Sequence, residues 1–319
     1  MISTIFLRPG DEVDRRLIEA GFEPFYKPFK GKRTEDELIQ LLQGVHGVIV
    51  SLDPFTERVL AAAPCLKTIC RTGVGYDTID LPAATARGII VTTTPGVNRH
   101  AVADLTIGFI LLYSRQISEN LAEVKGGGWK RHEGMDLAER TLGIVGLGTI
   151  GKEVARRAAG CRMKVLAYDT FQDEAVTDKQ SVKYVELEEL LHQSDFVSLH
   201  LFLNSASKHI INAERLKLMK PTAFLVNTAR GGLVDTQALY YALVKKQIAG
   251  AALDVFEEEP LPADNLLRSL PNVYMTPHVG GTTSDARWNS GLMAAENLIR
   301  ALNRCRPEGI VNPEVLEQK

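Results

Sequence analysis

The sequence predicts an α/β protein built from two doubly wound parallel sheets. Short β-branched runs alternate with helical patterns from end to end, which is typical of parallel strands joined by crossover helices. The strands of the second half are nearly continuous apolar runs, as expected where helices cover both faces of a sheet. The length of 319 residues favours two domains, each with its own core.

The first half contains four predicted strands. They are TIFL (4–7), HGVIVS (46–51), LKTICRTGVG (66–75) and IIVTTTPG (89–96), with helical patterns after the first three. An amphipathic segment from about 98 to 117 then joins this half to the next.

The second half contains six predicted strands with clear turn signals. They lie within 141–151, 163–169, 196–202, 222–232, 249–256 and 272–278. A last helical stretch, 284–303, can return to the first unit. We therefore predict a discontinuous substrate domain (1–98 and 288–319), flavodoxin-like in fold, and a Rossmann cofactor domain (99–287).

Composition narrows the class of partner. The net charge of −2 gives no electrostatic footprint for nucleic acid. The start lacks a secretory signal, and the most apolar long segment, 101–113, is too short to span a bilayer. The four cysteines form no CxxC pair and have no nearby histidines, which predicts reduced thiols in a cytoplasmic protein and no metal site.

A glycine-rich loop joins the first strand and helix of the second half. The GxGxxG pattern consists of Gly146, Leu147, Gly148, Thr149, Ile150 and Gly151. Gly146 permits a tight turn, Gly148 lets backbone N–H groups approach a pyrophosphate, and Gly151 lets helix and strand pack closely. The helix N-terminus then faces the phosphates.

An acidic residue follows at the distance that a dinucleotide site requires. Asp169 ends the next strand, 18 residues after Gly151. Its carboxylate can accept hydrogen bonds from both ribose hydroxyls and repels a 2′-phosphate, which favours NAD over NADP. The alternative is a structural turn with an incidental aspartate.

The segment AALDVFEEEPLP (251–262) contains three adjacent glutamates, and its acidic loop can be solvated, bind metal or take part in catalysis. Two further strand ends decide between these readings. Arg230 follows one strand, Glu259 lies in the loop after the next, and His278 ends the last. Because ligands of open α/β sheets bind beyond the carboxyl ends of the strands, we expect these three side chains to meet.

The three residue types suit redox chemistry on a 2-oxo acid. Arg230 can bind a carboxylate and polarise the adjacent carbonyl. His278 can exchange a proton with the substrate oxygen while hydride moves, and Glu259 can orient the imidazole and favour its charged form. Each residue taken alone is more often structural, and only their joint placement favours catalysis.

The chain resembles the D-isomer-specific 2-hydroxyacid dehydrogenases. The resemblance lies in RTGVGYDTIDL, TPGVN, AVADLTIG, TLGIVGLGTIGKEVA, NTARGGLVD, GAALDVFEEEP and TPHVGG, and covers about residues 45–305. It implies NAD as cofactor and Arg230, Glu259 and His278 as the catalytic residues. Glu257 and Glu258 fall at variable positions and are expected to be solvated.

The same resemblance implies the binding residues. The cofactor residues are Gly146, Gly148, Thr149, Ile150, Gly151, Asp169, Thr228, Ala229, Asp254 and Gly281. The substrate residues are Arg71, Gly73, Val74, Gly75 and Arg230, where the glycine turn forms an anion nest.

Departures from the family pattern leave the substrate open. The family usually has proline two residues after the histidine of its HxP segment, whereas Phe202 follows His200 here. Arg71 fits one phosphate-binding arginine of phosphoglycerate dehydrogenases, but Ser51 stands near the place of another. The chain ends at 319, before the regulatory domain of longer phosphoglycerate enzymes. A formate dehydrogenase is disfavoured, because that branch has glutamine at the position of Glu259.

We therefore predict an NAD-dependent oxidoreductase that interconverts a 2-oxo acid and a D-2-hydroxy acid. Two alternatives stay open: D-3-phosphoglycerate dehydrogenase proper, and a non-catalytic NAD-sensing protein like the corepressors that share this fold. A homodimer through the cofactor domain is also expected, from the resemblance and from the apolar segment 101–117.

Overall fold

The computed structural model describes residues 1–29, 33–173 and 182–317, and it forms two compact units. Unit 1 comprises Met1–Asn98 and Gly281–Lys319, and unit 2 comprises Arg99–Gly280. The second boundary therefore lies before the predicted position at 287/288. The reason is that the returning helix already begins at Ser284 and packs in unit 1.

Strands and helices are labelled in chain order. The strands are β1 (Gly47–Val50), β2 (Thr68–Arg71), β3 (Ile90–Thr92), β4 (Thr141–Val145), β5 (Lys164–Tyr168), β6 (Val182–Tyr184), β7 (Phe196–Leu199), β8 (Phe224–Asn227), β9 (Gly250–Leu253) and β10 (Val273–Met275). The helices are α1 (Glu12–Glu19), α2 (Glu35–Leu41), α3 (Glu57–Ala61), α4 (Leu81–Ala86), α5 (Arg99–Ser114), α6 (Ile117–Lys125), α7 (Thr149–Gly160), α8 (Leu187–Gln193), α9 (Ala213–Leu218), α10 (Thr236–Val244) and α11 (Ser284–Leu302). Short 3₁₀ turns occupy Gly231–Leu233, Leu266–Ser269 and Pro313–Leu316.

Unit 1 is built on a parallel sheet in the order β1-β2-β3. Helix α11 packs on β1, β2 and α1, and its apolar face closes a core that includes Ile49 and Leu298. Gly47 on β1 lets the helix come this close to the sheet. A Cβ at this position would lie only 3.2 Å from the side chain of Leu298, which would crowd the contact. The last helix therefore completes the core of the domain that the first residues begin.

The prediction of a strand at TIFL (4–7) is wrong, because the structure has no strand there. Instead, Ile2 makes two single bridges, one to Ile49 in β1 and one to Tyr26 outside the sheet. Ile2 is buried, whereas Ile5 is 45% exposed because the chain turns there. The run 4–7 itself thus contributes no regular strand, although Leu7 is buried in the core of unit 1.

Unit 2 contains a seven-stranded sheet in the order β10-β9-β8-β7-β4-β5-β6, with every pair parallel. One apolar core covers each face, as the continuous apolar strands predict. The order reverses at β4, which has β5 on one side and β7 on the other. All carboxyl ends lie at one edge, and a ligand crevice is expected beside β4. The predicted α/β class with parallel sheets is confirmed.

Several elements differ from the sequence prediction. The segment 98–117 forms α5, which is buried on several sides and is not amphipathic. It packs against α7 within unit 2 and places Ile107, Phe109 and Ile110 in the core. The short elements α2, α6, α8 and β6 were not predicted. No helix within the described ranges has both the length and the apolar character needed to cross a bilayer.

Candidate active site

The carboxyl edge of the unit 2 sheet brings Glu259 and His278 into direct contact. Nδ1 of His278 lies 2.7 Å from Oε2 of Glu259. The other carboxylate oxygen of Glu259 accepts a hydrogen bond of 3.0 Å from the backbone N–H of Phe256. Neighbouring parallel strands β9 and β10 position these loops side by side.

Electrostatics keep Glu259 ionised. Partial burial raises the pKa of this carboxyl. The hydrogen bonds from His278 and from the N–H of Phe256 lower the pKa, as do the charges of His278 and Arg230. The lowering effects are larger, so the pKa of Glu259 lies below its usual value. Arg230 thus acts on the same carboxylate from the end of β8. Its backbone is anchored by the Asn227 side-chain amide, which donates to the Arg230 carbonyl at 2.8 Å.

His278 sits in a turn that Asp254 organises. The histidine has φ of +52°, a left-handed conformation that is uncommon outside glycine. Asp254 is fully buried, and its carboxylate accepts hydrogen bonds from the hydroxyl of Thr276 and from the N–H groups of Val279 and Gly280, at 2.5, 2.7 and 2.7 Å. The Asp254 carbonyl also accepts from the His278 N–H at 2.8 Å. Asp254 therefore positions the histidine, and its contact with cofactor stays a prediction.

The other two glutamates of the acidic loop differ from each other. Glu257 was expected to be solvated, but its carboxylate has two partners. One oxygen lies 2.6 Å from Nε2 of His209, and the other accepts a hydrogen bond from the N–H of Thr236 at 3.1 Å. Burial raises the pKa of Glu257, but its bonds to Thr236 and His209 outweigh this and lower it. Glu258 is exposed, as predicted.

The glycine loop joins β4 to α7, and its glycines meet different needs. A Cβ on Gly146, which has φ of +100°, would lie 2.8 Å from the backbone of His200. A Cβ on Gly151 would lie 2.1 Å from the carbonyl oxygen of Gly146. By contrast, a Cβ on Gly148 would meet no atom within 4 Å. The protein itself therefore does not require Gly148 to be glycine, and the bare backbone fits the close approach of a pyrophosphate.

The start of α7 is also open to an anion. The helix begins at Thr149 with Gly148 as its cap, and no side chain caps its first N–H groups. Ile150 lies in this first turn. Helix N-termini of this kind favour phosphate groups.

Asp169 lies at the end of β5 beside this loop. Its carboxylate accepts hydrogen bonds from the N–H of Leu147 at 2.7 Å and from the N–H of Phe171 at 3.0 Å. A carboxylate has about four acceptor positions, so capacity remains for the two ribose hydroxyls. The residues present thus fit NAD.

Thr228 and Ala229 form the turn after β8. The hydroxyl of Thr228 bonds that of Thr106 on α5 at 2.9 Å, so its side chain faces the interior of unit 2. The N–H of Ala229 donates to Oδ1 of Asn227 at 3.1 Å. Both residues shape the turn that precedes Arg230, and their contact with cofactor stays a prediction.

Four of the predicted substrate residues, Arg71, Gly73, Val74 and Gly75, lie in unit 1 at the end of β2. Arg71 donates from Nε to the carbonyl of Gly75 and so closes the turn. The N–H of Gly73 donates to the hydroxyl of Thr94 at 2.8 Å. The predicted anion nest therefore depends on the N–H groups of Val74 and Gly75. Gly281, predicted to bind cofactor, is the first residue of the returning segment of unit 1.

Histidine at position 200 is not a proton donor near neutral pH. Burial lowers the pKa of His200 to about 3, and Nε2 lies 3.1 Å from the hydroxyl of Ser198. Across the described ranges, no three His, Cys, Asp or Glu side chains gather as a metal ion would require. At this sheet edge, His278 is thus the histidine suited to acid–base chemistry.

Two features of the edge were missed at the sequence level. They are the positioning role of Asp254 and the pair of His209 with Glu257. The only sequence signal for Asp254 was a charged residue directly after a fully apolar strand, which demands hydrogen-bond partners when buried. Nothing in the local sequence marks His209 as a partner of Glu257, 48 residues away.

The parallel sheet, the glycine loop and the charged strand ends define a dinucleotide-dependent oxidoreductase. A family model described as "D-isomer specific 2-hydroxyacid dehydrogenase, NAD binding domain" matches residues 107–280. A glyoxylate reductase from Korarchaeum cryptofilum is 41% identical over 98% of both chains. The chain therefore belongs to the D-isomer-specific 2-hydroxyacid dehydrogenase family.

Two further similarities bear on activity. A D-3-phosphoglycerate dehydrogenase from Methanocaldococcus jannaschii is 41% identical over 90% of this chain, which spans only 55% of that relative. The crystal structure of D-lactate dehydrogenase from Aquifex aeolicus with NAD and lactic acid has a TM-score of 0.82 and 29% identity, and the match covers 100% of this chain and 98% of that one. The predicted function is confirmed: the protein is an NAD-dependent oxidoreductase that interconverts a 2-oxo acid and a 2-hydroxy acid. Its enzyme relatives do not support the non-catalytic alternative.

Proposed function

We propose that the protein is an NADH-dependent reductase of small 2-oxo acids of the glyoxylate type, with Arg230, Glu259 and His278 as its catalytic residues. The observation that carries this proposal is the 2.7 Å contact between His278 and Glu259 at the carboxyl edge of the sheet. The similarity to a glyoxylate reductase over nearly the whole of both chains supports the substrate class.

The three side chains divide the work. Arg230 binds the substrate carboxylate and polarises the neighbouring carbonyl. His278 is held through Nδ1, so Nε2 is the atom that gives its proton to the substrate oxygen. Glu259 stays ionised, because its pKa is lowered, and it stabilises the protonated imidazole. NADH, when bound, would supply the hydride for the carbonyl carbon, and with the proton from His278 this gives the 2-hydroxy acid.

A panel of 2-oxo acids tests this proposal. We expect turnover with NADH, read as loss of nicotinamide absorbance, and the highest kcat/KM with glyoxylate or hydroxypyruvate. His278→Ala should abolish most turnover, whereas the neighbouring Glu258→Gln should not. Absence of turnover with every 2-oxo acid tested would overturn the proposal.

D-3-phosphoglycerate dehydrogenase is the second candidate, and Arg71 is the observation that favours it. This arginine ends β2 and bonds the carbonyl of the turn that carries the predicted anion nest. Including 3-phosphohydroxypyruvate in the panel separates the candidates. A clear preference for this phosphorylated acid, lost in Arg71→Ala, would replace glyoxylate by phosphohydroxypyruvate as the substrate.

We also propose a homodimer formed through unit 2. The apolar character of α5 is largely explained by burial within its own unit, but α6 has no buried residue. Ile117, Leu121 and Val124 are 39%, 54% and 56% exposed, and their spacing places them on one face. Trp129, in the segment after α6, is 81% exposed. A second copy of the chain would cover this face, since contiguous exposed apolar surface marks interfaces.

Light scattering tests the dimer. The wild type should have twice the 35.1 kDa chain mass, and Leu121→Glu should reduce it towards a single chain. Val244→Glu, at an exposed apolar position on α10, is the matched control and should leave the mass unchanged. A wild-type mass of one chain at micromolar concentration would refute the proposal.

A cytoplasmic location is also proposed. All four cysteines, Cys65, Cys70, Cys161 and Cys305, have free thiols, which fits a reducing compartment. Cell fractionation tests this, and recovery of the protein only in an oxidising compartment would contradict it.

A further inference from the structure

Glu257 connects the acidic loop after β9 to two other segments of unit 2. One carboxylate oxygen lies 2.6 Å from Nε2 of His209, in the loop after β7. The other accepts a hydrogen bond of 3.1 Å from the N–H of Thr236, the first residue of α10. Asp235 caps the same helix by accepting from the N–H of Ala238 at 2.9 Å. The start of α10 thus holds two carboxylates, at the helix end where negative charge is favoured.

The two partners of Glu257 belong to the same hydrogen-bonded layer as Arg230. The chain runs from Arg230 through a short 3₁₀ turn into α10, which begins at Thr236. The loop after β7 is bonded to this turn, because the N–H of His209 donates to the carbonyl of Gly232 at 2.8 Å. One bond of Glu257 therefore reaches the Arg230 segment directly, and the other reaches it through His209.

The backbones of the acidic loop and the 3₁₀ turn also touch. Gly231, at the start of the turn, lies against the peptide between Phe256 and Glu257, and a Cβ on it would collide with that peptide. The N–H of Phe256 in turn donates to Oε1 of Glu259 at 3.0 Å. The bonds of Glu257 thus hold a peptide next to a hydrogen-bond donor of Glu259. A displacement of this peptide moves the carboxylate that faces His278.

We propose that Glu257 is a positioning residue for the reaction. Its two bonds hold the acidic loop against the Arg230 segment, and thereby fix the pair of Glu259 and His278 relative to the arginine. The inference rests on the assignment of these three residues as catalytic in the proposed function. Displacing reacting groups by roughly 1 Å can cost on the order of 10²-fold in rate, so a residue that touches no reacting atom can limit turnover.

The kinetics of Glu257→Ala test this role. The variant removes both bonds, so kcat for 2-oxo acid reduction should fall roughly tenfold. This loss exceeds that of Glu259→Gln, which removes a charge and keeps the geometry. The KM for the 2-oxo acid and the Kd for NADH should stay within about threefold of wild type, because Arg230 is anchored by Asn227 and the glycine loop is untouched.

Two further variants of the acidic loop complete the comparison. Glu257→Gln keeps the size and the hydrogen-bonding groups of the side chain, so kcat should return to near the wild-type value. Glu258→Ala, at the exposed neighbouring position, is the matched control and should leave kcat unchanged.

The pH profile separates positioning from a loss of folded protein. If Glu257→Ala moves Glu259 away from Nδ1 of His278, the reductive profile should shift to lower pH, as in Glu259→Gln. In the double variant Glu257→Ala/Glu259→Gln, the profile should shift no further than in Glu259→Gln alone. A variant that merely unfolds loses NADH-binding sites in proportion to its activity and keeps the wild-type profile.

A double-mutant cycle tests whether His209 acts through Glu257. His209→Ala should lower kcat less than Glu257→Ala does, because the bond to Thr236 remains. The double variant Glu257→Ala/His209→Ala should have the kcat of Glu257→Ala, since the two residues share one contact.

Two results would overturn the inference. The first is a kcat in Glu257→Ala within about twofold of wild type. The second is a lowered kcat in Glu257→Ala with an unmoved pH profile, which would make the contact merely structural.

His278→Ala separates this inference from the proposed function. If His278→Ala abolishes most turnover and Glu257→Ala does not lower it, only the positioning role fails. If Glu257→Ala lowers kcat and His278→Ala does not, the assignment of the proton donor fails, while the hold of Glu257 on the acidic loop stands.

Discussion

Replacing Glu259 by glutamine tests the pair that the sheet edge brings together. Glutamine keeps the size of the side chain and removes its negative charge. The protonated imidazole of His278 then loses a partner 2.7 Å away. Because reduction needs the protonated form, the pH profile of the reductive reaction should shift to lower pH, while activity at low pH is retained.

Exposure sets the size of this shift. The side chains of His278 and Glu259 are 46% and 36% exposed, so solvent screens their attraction. Pairs exposed to this degree contribute about 0.2–1 kcal/mol. Since a factor of ten corresponds to about 1.4 kcal/mol, the lost attraction should lower kcat/KM by no more than about fivefold at any pH. A buried pair at the same distance would give a larger shift.

The assay is kcat/KM for the preferred 2-oxo acid with NADH across the pH range, together with the Kd for NADH. His278→Ala removes the proton donor itself, so kcat should fall ~10²–10⁴-fold, or roughly 3–5 kcal/mol, while the Kd for NADH is kept. Glu258→Gln is the matched control, because Glu258 is exposed in the same loop.

The reasoning would be refuted by a profile that moves in Glu258→Gln and stays fixed in Glu259→Gln. An unchanged kcat in His278→Ala would refute the assignment of the proton donor. Loss of NADH binding in His278→Ala would show that the histidine acts in binding the cofactor.

Three other predictions follow from the glycine loop, the ribose acid and the second glutamate. Gly148→Ala should raise the Kd for NADH without lowering Tm, because a Cβ at this position meets no protein atom. Gly151→Ala should lower the free energy of unfolding by about 1–3 kcal/mol, because its Cβ would lie 2.1 Å from a carbonyl oxygen. Equal losses of Tm in the two variants would contradict this. Asp169→Ala should narrow the preference for NADH over NADPH, measured as kcat/KM, and equal wild-type values with both cofactors would disprove the preference. Glu257 has a lowered pKa, so it stabilises the fold above its ordinary pKa of 4.5, and this contribution is lost as pH falls through the lower folded value. Melting curves should therefore show a smaller acid-induced loss of Tm in Glu257→Gln than in the wild type, and parallel losses would argue against it.

The fold class was predictable because it depends on local periodicity. Continuous apolar strands separated by helical patterns require parallel pairing with both faces covered, and the structure of unit 2 has this arrangement. The strand at 4–7 was predicted wrongly because a short apolar run does not show where the chain turns, and the chain turns at residues 5 and 6. The helix α5 was read as amphipathic because the sequence does not show that it packs in the core beside α7.

The sequence by itself determined which chemical groups follow the strands: the glycine loop after β4, Asp169 after β5, and Arg230, Glu259 and His278 after β8, β9 and β10. Parallel strands bring such residues to one edge whatever the loops do, so this part of the site could be predicted.

Only the tertiary structure decided which of these groups touch. Three adjacent glutamates are chemically alike, yet Glu259 bonds His278 and Glu257 bonds His209. Such pairs join residues 19 and 48 positions apart, and their distance depends on loop paths that local propensity does not encode.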